Sequence, residues 1–338
     1  MDVLLGLFYL ALILSFFTLF SFKAPYGAKT MSALADAAVA SFLVEAVYGA
    51  LFGTILDVPF LNGIAEANGS LAGVAAAGMV LLRLGASHVN SLLIALSMMQ
   101  FGILPGFIAA YLISFLVRYI QEKVNGGLDV FVVAATALPI AYAIAALIAP
   151  IIDSALAQIG TIIEAASQSS PLFMGAVLGA VFTVVSTAPL SSMALTAMMG
   201  LTGKAMAIAG LAIFSSATAN YLLFSRLKIG TREESLSVAL EPLTQAHLVT
   251  ANPLPVYVTS TLTGAISGMY VAMTDLVNNT PGTASIIPGI LAPLADNPPH
   301  KVLIAGAICL LCGVAVGFLT SYIFRNQRVY TTNDIIED

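Results

Sequence analysis

Nine of this chain's 12 Lys and Arg residues fall in four short clusters separated by long apolar runs, and that arrangement constrains the fold more than any other feature. The clusters are Lys23 with Lys29, Arg118 with Lys123, Arg226 with Lys228 and Arg232, and Arg325 with Arg328. Arg83, Lys204 and Lys301 stand apart. Hydrophobic residues make up 59% of the chain and charged residues 9%, where a soluble domain carries about 25% charge to clothe its surface. With a mean hydropathy of +0.99, this is an integral membrane protein. The same numbers exclude disorder, and the net charge of −5 excludes a basic nucleic-acid binder. The apolar runs are too long for the roughly 10-residue strands of a membrane barrel and rich in Ala, Leu, Met and Gly, which predicts helices. With Trp 0 and Tyr 11, tyrosine must mark the membrane interfaces.

Short loops rich in Lys and Arg stay cytoplasmic. All four clusters and the polar tail Thr331–Asp338 are therefore expected inside. The opposite face receives the loop Asp57–Ser70, the stretch Asp153–Ser170 and the segment Asn278–His300, none of which holds a Lys or Arg before the Lys at 301. The first segment, Val3–Phe22, has Asp2 before it and its positive charges after it. That is a spanning helix with its N-terminus outside, not a signal peptide.

Crossing parity is more informative than hydropathy alone. From the outer stretch ending at Ser170 to the inner Arg226 the chain crosses an odd number of times. Pro171–Pro189 fits one span, which leaves Leu190–Ser225, broken around Gly200 and Gly203, as a helical hairpin that dips in and returns. Between inner Arg232 and outer His300, Val256–Met273 supplies one span and Leu236–Pro255 a second re-entrant piece. Leu71–Leu84 and Ser91–Val117 are likewise broken, at Gly85, Gly102 and Pro105. Broken helices survive at membrane depth only where protein or a watery cavity satisfies the freed backbone groups, and in transporters such pieces build the substrate site. The chain thus reads as an all-α polytopic carrier in four parts. Residues 1–150 form a transmembrane scaffold, 151–170 an interfacial amphipathic helix, 171–324 a hairpin-containing substrate part and 325–338 a cytoplasmic tail.

Few residues can carry chemistry. Ionisable groups inside apolar spans are costly and default to functional candidates. Asp36 and Glu45 stand nine positions apart on one apolar run, which at about 100° per residue places them on opposite helix faces. Glu45 is either a proton or substrate ligand or a buried hydrogen-bonding partner; Asp36 reads as a structural partner for Lys29 or an inner-face cap. The densest polar cluster runs from Glu241 to Pro255 and includes His247, Thr250 and Asn252. Pro253 and Pro255 lack donors and push the preceding residues out of helical geometry, so the turn at Asn252 is expected to offer neutral donors and acceptors. A solvated cytoplasmic loop is the alternative. The stretch Ser186–Ser192, with Ser186 and Thr187, supplies a matching tip, and Ser215–Asn220 adds hydroxyls and the Asn220 amide. His88 and Asn90 either join this site or cap a turn. Cys309 and Cys312 form a C-x-x-C inside the apolar run Val302–Phe324, but no other Cys exists to complete a metal site. They read as two small apolar side chains. No phosphate-binding loop, nucleophile elbow or metal-spaced cluster is present, so no cofactor, metal or enzymatic activity is expected of this chain.

The stretches Lys23–Glu45, Ser186–Ser192 and Gln245–Pro253 resemble bacterial membrane proteins of the PfoR type, described as toxin regulators and grouped with the IIC membrane components of sugar phosphotransferase systems. The resemblance runs over nearly the whole chain. It implies the fold of the glucose-type EIIC carriers: about ten membrane segments including two re-entrant hairpins, a homodimer in the bacterial cytoplasmic membrane, and elevator-like movement of the substrate part. Members bind sugar hydroxyls with a Glu followed by Pro at a hairpin tip. Here Asn252-Pro253 stands near the expected place and Glu241-Pro242 lies eleven residues earlier. No phosphorylatable IIA or IIB fold is evident in the chain, so phosphoryl transfer would need a separate cytoplasmic IIB-type protein.

The expected function is therefore a carrier for a small polar solute, a sugar or sugar derivative; the alternative is a transporter-derived membrane sensor that controls gene expression. The 14-residue tail beyond Phe324 carries no effector segment, which favours the carrier. The solute is placed between the tip at Thr250, Asn252 and Pro253, the tip at Ser186 and Thr187, and a polar wall of Glu45 and His88. Asn90, Asn220 and His247 are further candidates, and Gly49 and Gly53 offer a close helix contact for the dimer. Single cysteines introduced at Thr231 or Asn333 should react with an impermeant maleimide only from the cytoplasmic side, and those at Asn68 or Asn279 only from outside. One reversed loop would break the charge argument.

Overall fold

With no water in a bilayer's core, backbone polar groups must pair within the segment, and helices do so locally. The computed structural model describes residues 2–44, 48, 58–124, 126–167, 170–188, 190 and 192–336; among these, regular structure is helical, with a lone bridge between Gly203 and Asn278. In chain order the first group is α1 (Asp2–Lys23), α2 (Gly27–Ala38), α3 (Pro59–Ser70), α4 (Ala72–Arg83), α5 (His88–Leu96), α6 (Ile103–Lys123), α7 (Leu128–Val132) and α8 (Leu138–Ser167). The second is α9 (Pro171–Thr187), α10 (Ser192–Met198), α11 (Gly203–Leu227), α12 (Arg232–Leu240), α13 (Ala246–Ala251), α14 (Pro253–Ala272), α15 (Ile286–Leu291), α16 (Pro293–Asp296), α17 (Pro299–Ile323) and α18 (Thr332–Ile336).

Among the described residues, four helical stretches are long and apolar enough to cross a membrane: α6, Leu128–Gln158, α11 and α17. A fifth is supplied if α3 and α4, bent by 51° at Leu71, count as one broken span. The expected breaks at Gly85 and Gly102 separate α4, α5 and α6, and Gly85 adopts φ +90, which only Gly enters freely. Three features differ from the sequence-based expectation. The stretch 59–70, expected as a loop, is helix α3, started by Pro59 at its first turn. The boundary at Pro150 falls inside the continuous α8, so 151–167 prolongs that helix. The 25-residue α11 occupies the stretch assigned to the first hairpin, and the 17-residue α9 the stretch assigned to a span.

The helices pack in two groups, α1, α2, α4, α6 and α8 in one, and α9, α11, α14 and α17 in the other, joined where α8 meets α9 and where α13 meets α1 and α2. Glycine sets the closest crossings. On α9, Gly175 and Gly179 face Gly268 and Gly264 of α14; a Cβ added at Gly179 would lie 2.0 Å from the Gly264 carbonyl oxygen, and one at Gly268 2.1 Å from that of Gly175. Two small-xxx-small faces thus let the backbones touch, which is how helices gain packing energy in lipid. Gly73 and Gly106 do the same for α4 and α6. Replacing Gly179 or Gly268 by Val should cost roughly 1–3 kcal/mol through overpacking and lower the melting temperature in detergent. Gly63→Ala, on α3 with nothing within 4 Å, should not. Equal melting of all three would remove this crossing from the account.

Candidate functional site

Three helices define a common frame. The glycine pairs make α9 and α14 antiparallel, and near the end of α9 the Thr187 hydroxyl donates to Ser260 Oγ at 3.2 Å. α11 is antiparallel to α14 as well: Lys204 Nζ bonds the Ala272 carbonyl at 3.3 Å at one end, while Leu223 and Phe224 share a buried apolar cluster with Val256 at the other. Polar side chains from all three are buried together, among them Thr183 and Thr187, Ser215, Ser216 and Asn220, and Thr259, Ser260 and Thr263.

Four helix ends converge beside Ile213, near the middle of α11. α9 ends at Ser186-Thr187, and α10 begins at Ser192. α12 stops at Glu241, in extended conformation because Pro242 follows it and disfavours helical geometry before it. Ser285, also extended, caps α15. Among the described residues, Ser186, Ser192, Glu241 and Ser285 are the polar lining of a small cavity of about 10 Å³, room for about one water. Ser285 Oγ donates to Glu241 Oε2 at 3.1 Å, Ser192 Oγ to the Ala284 carbonyl at 2.6 Å, and Ser186 Oγ to the Thr183 carbonyl at 2.9 Å. Enclosure of Glu241, in the break outside the spanning helices, pushes its carboxyl up to about 7, against the lowering effect of the Ser285 hydroxyl and the Leu243 amide. Among the described residues, no other titratable side chain lines the cavity.

The residues singled out from the sequence are distributed as follows. Ser186 lines the cavity and Thr187 sits beside it on the Ser260 hydroxyl. Asn220 is fully buried on α11, and neither its Nδ2 nor its Oδ1 has a protein partner. The Thr250 hydroxyl is spent on the carbonyls of Ala246 and His247. Asn252 is no tip: Nδ2 donates to the carbonyls of Leu248 and Tyr330 at 2.9 and 2.8 Å, and Oδ1 accepts from the Tyr330 amide at 2.9 Å. Pro253 at the first turn of α14 starts that helix instead of turning the chain. His247 is buried and Nδ1 lacks a partner; burial pushes its pKa down, opposed by the charges of Glu234 and Asp36 and aided by that of Arg83. Asn90 donates to Asp129 Oδ2 at 2.8 Å, while His88 is exposed in the first turn of α5, capped by Ser87. Asp36 is a structural partner, but of Arg83 and not of Lys29. Cys309 and Cys312 are free thiols. Glu45, Gly49 and Gly53 lie outside the described residues.

Glu241 and Ser285 were not among the candidates. The Glu241-Pro242 dipeptide was the available signal for the first; nothing local marks Ser285, which reaches the cavity only through the fold. A family model described as "Phosphotransferase system, EIIC" matches residues 28–336. No curated protein and no solved structure matches the chain.

The Asn252 contacts change what its substitution should do. Asn252→Ala loses three hydrogen bonds, two of them to the tail, and should lower stability by roughly 1–2 kcal/mol. Trypsin should then cut faster at the exposed Arg325 and Arg328, as followed by mass spectrometry. Unchanged cleavage and melting would mean the tail is held by other contacts.

Proposed function

The chain belongs to the phosphotransferase-system EIIC family, the membrane components of sugar uptake systems, and on that premise we propose that it carries a sugar or sugar derivative through the cavity at Glu241. In this reading α9–α10 and α12–α13 are two re-entrant hairpins entering from opposite faces. Their tips, Ser186–Ser192 and Glu241–Gln245, meet halfway along α11. α11 and α14 are the spans that follow each hairpin, and the odd crossing counts between Ser170 and Arg226 and between Arg232 and His300 are kept. The observation that carries the reading is the meeting of Glu241-Pro242 with Ser186, Ser192 and Ser285 around one cavity.

The chemistry suits hydroxyls. One carboxylate can accept two ligand hydroxyls, and charge-assisted bonds are about twice as strong as neutral ones. Serine hydroxyls add neutral donors and acceptors without the desolvation cost of further buried charges. A cavity of about 10 Å³ cannot hold a sugar; loading requires the two tips to part, and the elevator-like movement of α9–α17 against α1–α8 would carry the opened site across. A separate cytoplasmic IIB-type protein would phosphorylate the arriving sugar. A homodimer in the bacterial cytoplasmic membrane, with the N-terminus outside, completes the proposal.

Glu241→Gln should weaken sugar binding roughly tenfold to a hundredfold, the worth of hydrogen bonds to a charged group, measured by isothermal titration in detergent, and abolish counterflow in proteoliposomes. The binding form is the carboxylate, so wild-type affinity should rise as pH increases through about 7, and the Gln variant should be flat. Stability should run the other way: a raised carboxyl pKa means the folded state holds its proton longer, so the stabilisation present at low pH is lost as pH rises through about 7. Unaltered binding by the Gln variant would sink the site. Binding with no counterflow in wild type would turn the carrier into the sensor.

A further inference from the structure

At the expected cytoplasmic end of the N-terminal group, away from the Glu241 cavity, lies a second and much larger hollow of about 500 Å³, within the roughly 300–1,000 Å³ typical of small-molecule sites. Its lining includes Tyr26, Lys29, Arg83, Arg118, Gln121 and Glu122. The cations come from three helices, Lys29 on α2, Arg83 at the end of α4 and Arg118 near the end of α6, although Arg83 belongs to none of the charge clusters in the sequence.

Three features point to an anion. First, Lys29 Nζ and Arg118 Cζ lie 5.9 and 5.3 Å from the centroid of the same Tyr26 ring. Two like charges are thus brought together, and among the described residues neither forms an ion pair; Arg83 alone does, with Asp36. Glu122 stands in the lining without bridging to them. Second, Tyr26 holds φ 57, a left-handed conformation unusual for a non-glycine residue, which persists only where the surroundings enforce it. It ends the chain's approach to the 12-residue α2 and holds the Tyr26 ring beside both Lys29 and Arg118. Third, Gln121 Oε1 is buried without a partner, and the side-chain amide can present its Nε2 instead. A neighbouring hollow of about 420 Å³ shares Tyr26 and Lys29 and adds Arg328 from the tail, with Asp334 on its other side.

We propose that the hollow formed by Tyr26, Lys29, Arg83 and Arg118 binds a phosphomonoester, held by the Lys and Arg side chains. An Arg presents a planar fork and a Lys a point charge, the pair of donors suited to a phosphate's tetrahedral oxygens. A soluble sugar phosphate and a lipid headgroup both present such a phosphate; the recognition chemistry is the same, and experiment separates the sources.

The test uses the full chain in nanodiscs. In neutral phosphatidylcholine discs, inorganic phosphate and glucose 6-phosphate are titrated at constant ionic strength, with glucose as the control. In a second arm, retention of phosphatidic acid over phosphatidylcholine is read by native mass spectrometry. Saturable binding in either arm, weakened at least tenfold by Lys29→Gln or Arg118→Gln with melting unchanged, is the expected result. The first arm alone identifies a soluble ligand, the second alone a lipid. Lys29→Met and Arg118→Met serve if a Gln variant is unstable. Glu241→Gln should leave this binding untouched, so the sugar-site proposal can fail without affecting it. No saturable binding in either arm, or binding indifferent to Lys29 and Arg118, overturns the proposal.

Discussion

The contact between α9 and α14 sets the register of the second helix group. With Gly175 and Gly179 against Gly268 and Gly264, each backbone occupies the space a Cβ would need, and no sliding by one residue is tolerated. Thr187 is thereby delivered to Ser260, and the last turn of α9 stops beside the middle of α11. A looser, Leu-lined contact would hold the helices together but would not fix where α9 ends. The position of that end matters because its freed backbone groups, and those of the break at Glu241, have to find partners inside the protein.

Glu241 shows how such a break can carry an acid. A carboxylate deep in apolar surroundings costs several kcal/mol unless paired, and here the Ser285 hydroxyl and the Leu243 amide offset only part of that cost, leaving its pKa near 7. The side chain can therefore be neutral or ionised within the physiological range. Among the described residues no cation lines the cavity to fix it in one form, and in the proposed carrier a ligand's hydroxyls would supply the missing donors.

Charge and hydropathy made the membrane character legible, while the lengths of the elements between Ser170 and Arg226 differ from those expected. The break expected around Gly200 and Gly203 does separate α10 from α11, but the 25 residues that follow form one helix that carries Ser215, Ser216 and Asn220. In the fold all three are buried against neighbouring helices, and two of the hydroxyls are returned to α11's own carbonyls. α9 reads as an uninterrupted apolar span, yet it is only 17 residues long. Likewise Asn252-Pro253 carries the local signature of a turn and Glu241-Pro242 carries it equally; no sequence rule says which faces a cavity. That is decided by α12, whose Thr231–Glu234 capping box starts a nine-residue helix that ends at Glu241. Ser186 and Thr187 were recognisable because hydroxyls cluster at a helix end, whereas Ser285 is brought to the site from far along the chain.

The tail links the two helix groups in a way that bears on any movement between them. Tyr330 pairs its backbone with the Asn252 side chain at the start of α14, and its ring packs edge-on against Phe22 of α1 at 5.0 Å. Thr332 adds a hydrogen bond to Glu234 of α12 at 2.6 Å. Contacts to α12 and α14 lie on the proposed moving side, and those to Phe22 and α2 on the stationary one. The polar contacts to Asn252 and Glu234 are directional and short, while a single aromatic pair is worth about 0.5–1.5 kcal/mol beyond its buried area. Helix α18 also packs on α2, with Ile335 in a buried cluster that Ala28 adjoins, so the tail is held to both groups and a shift between them must break its contacts on one side.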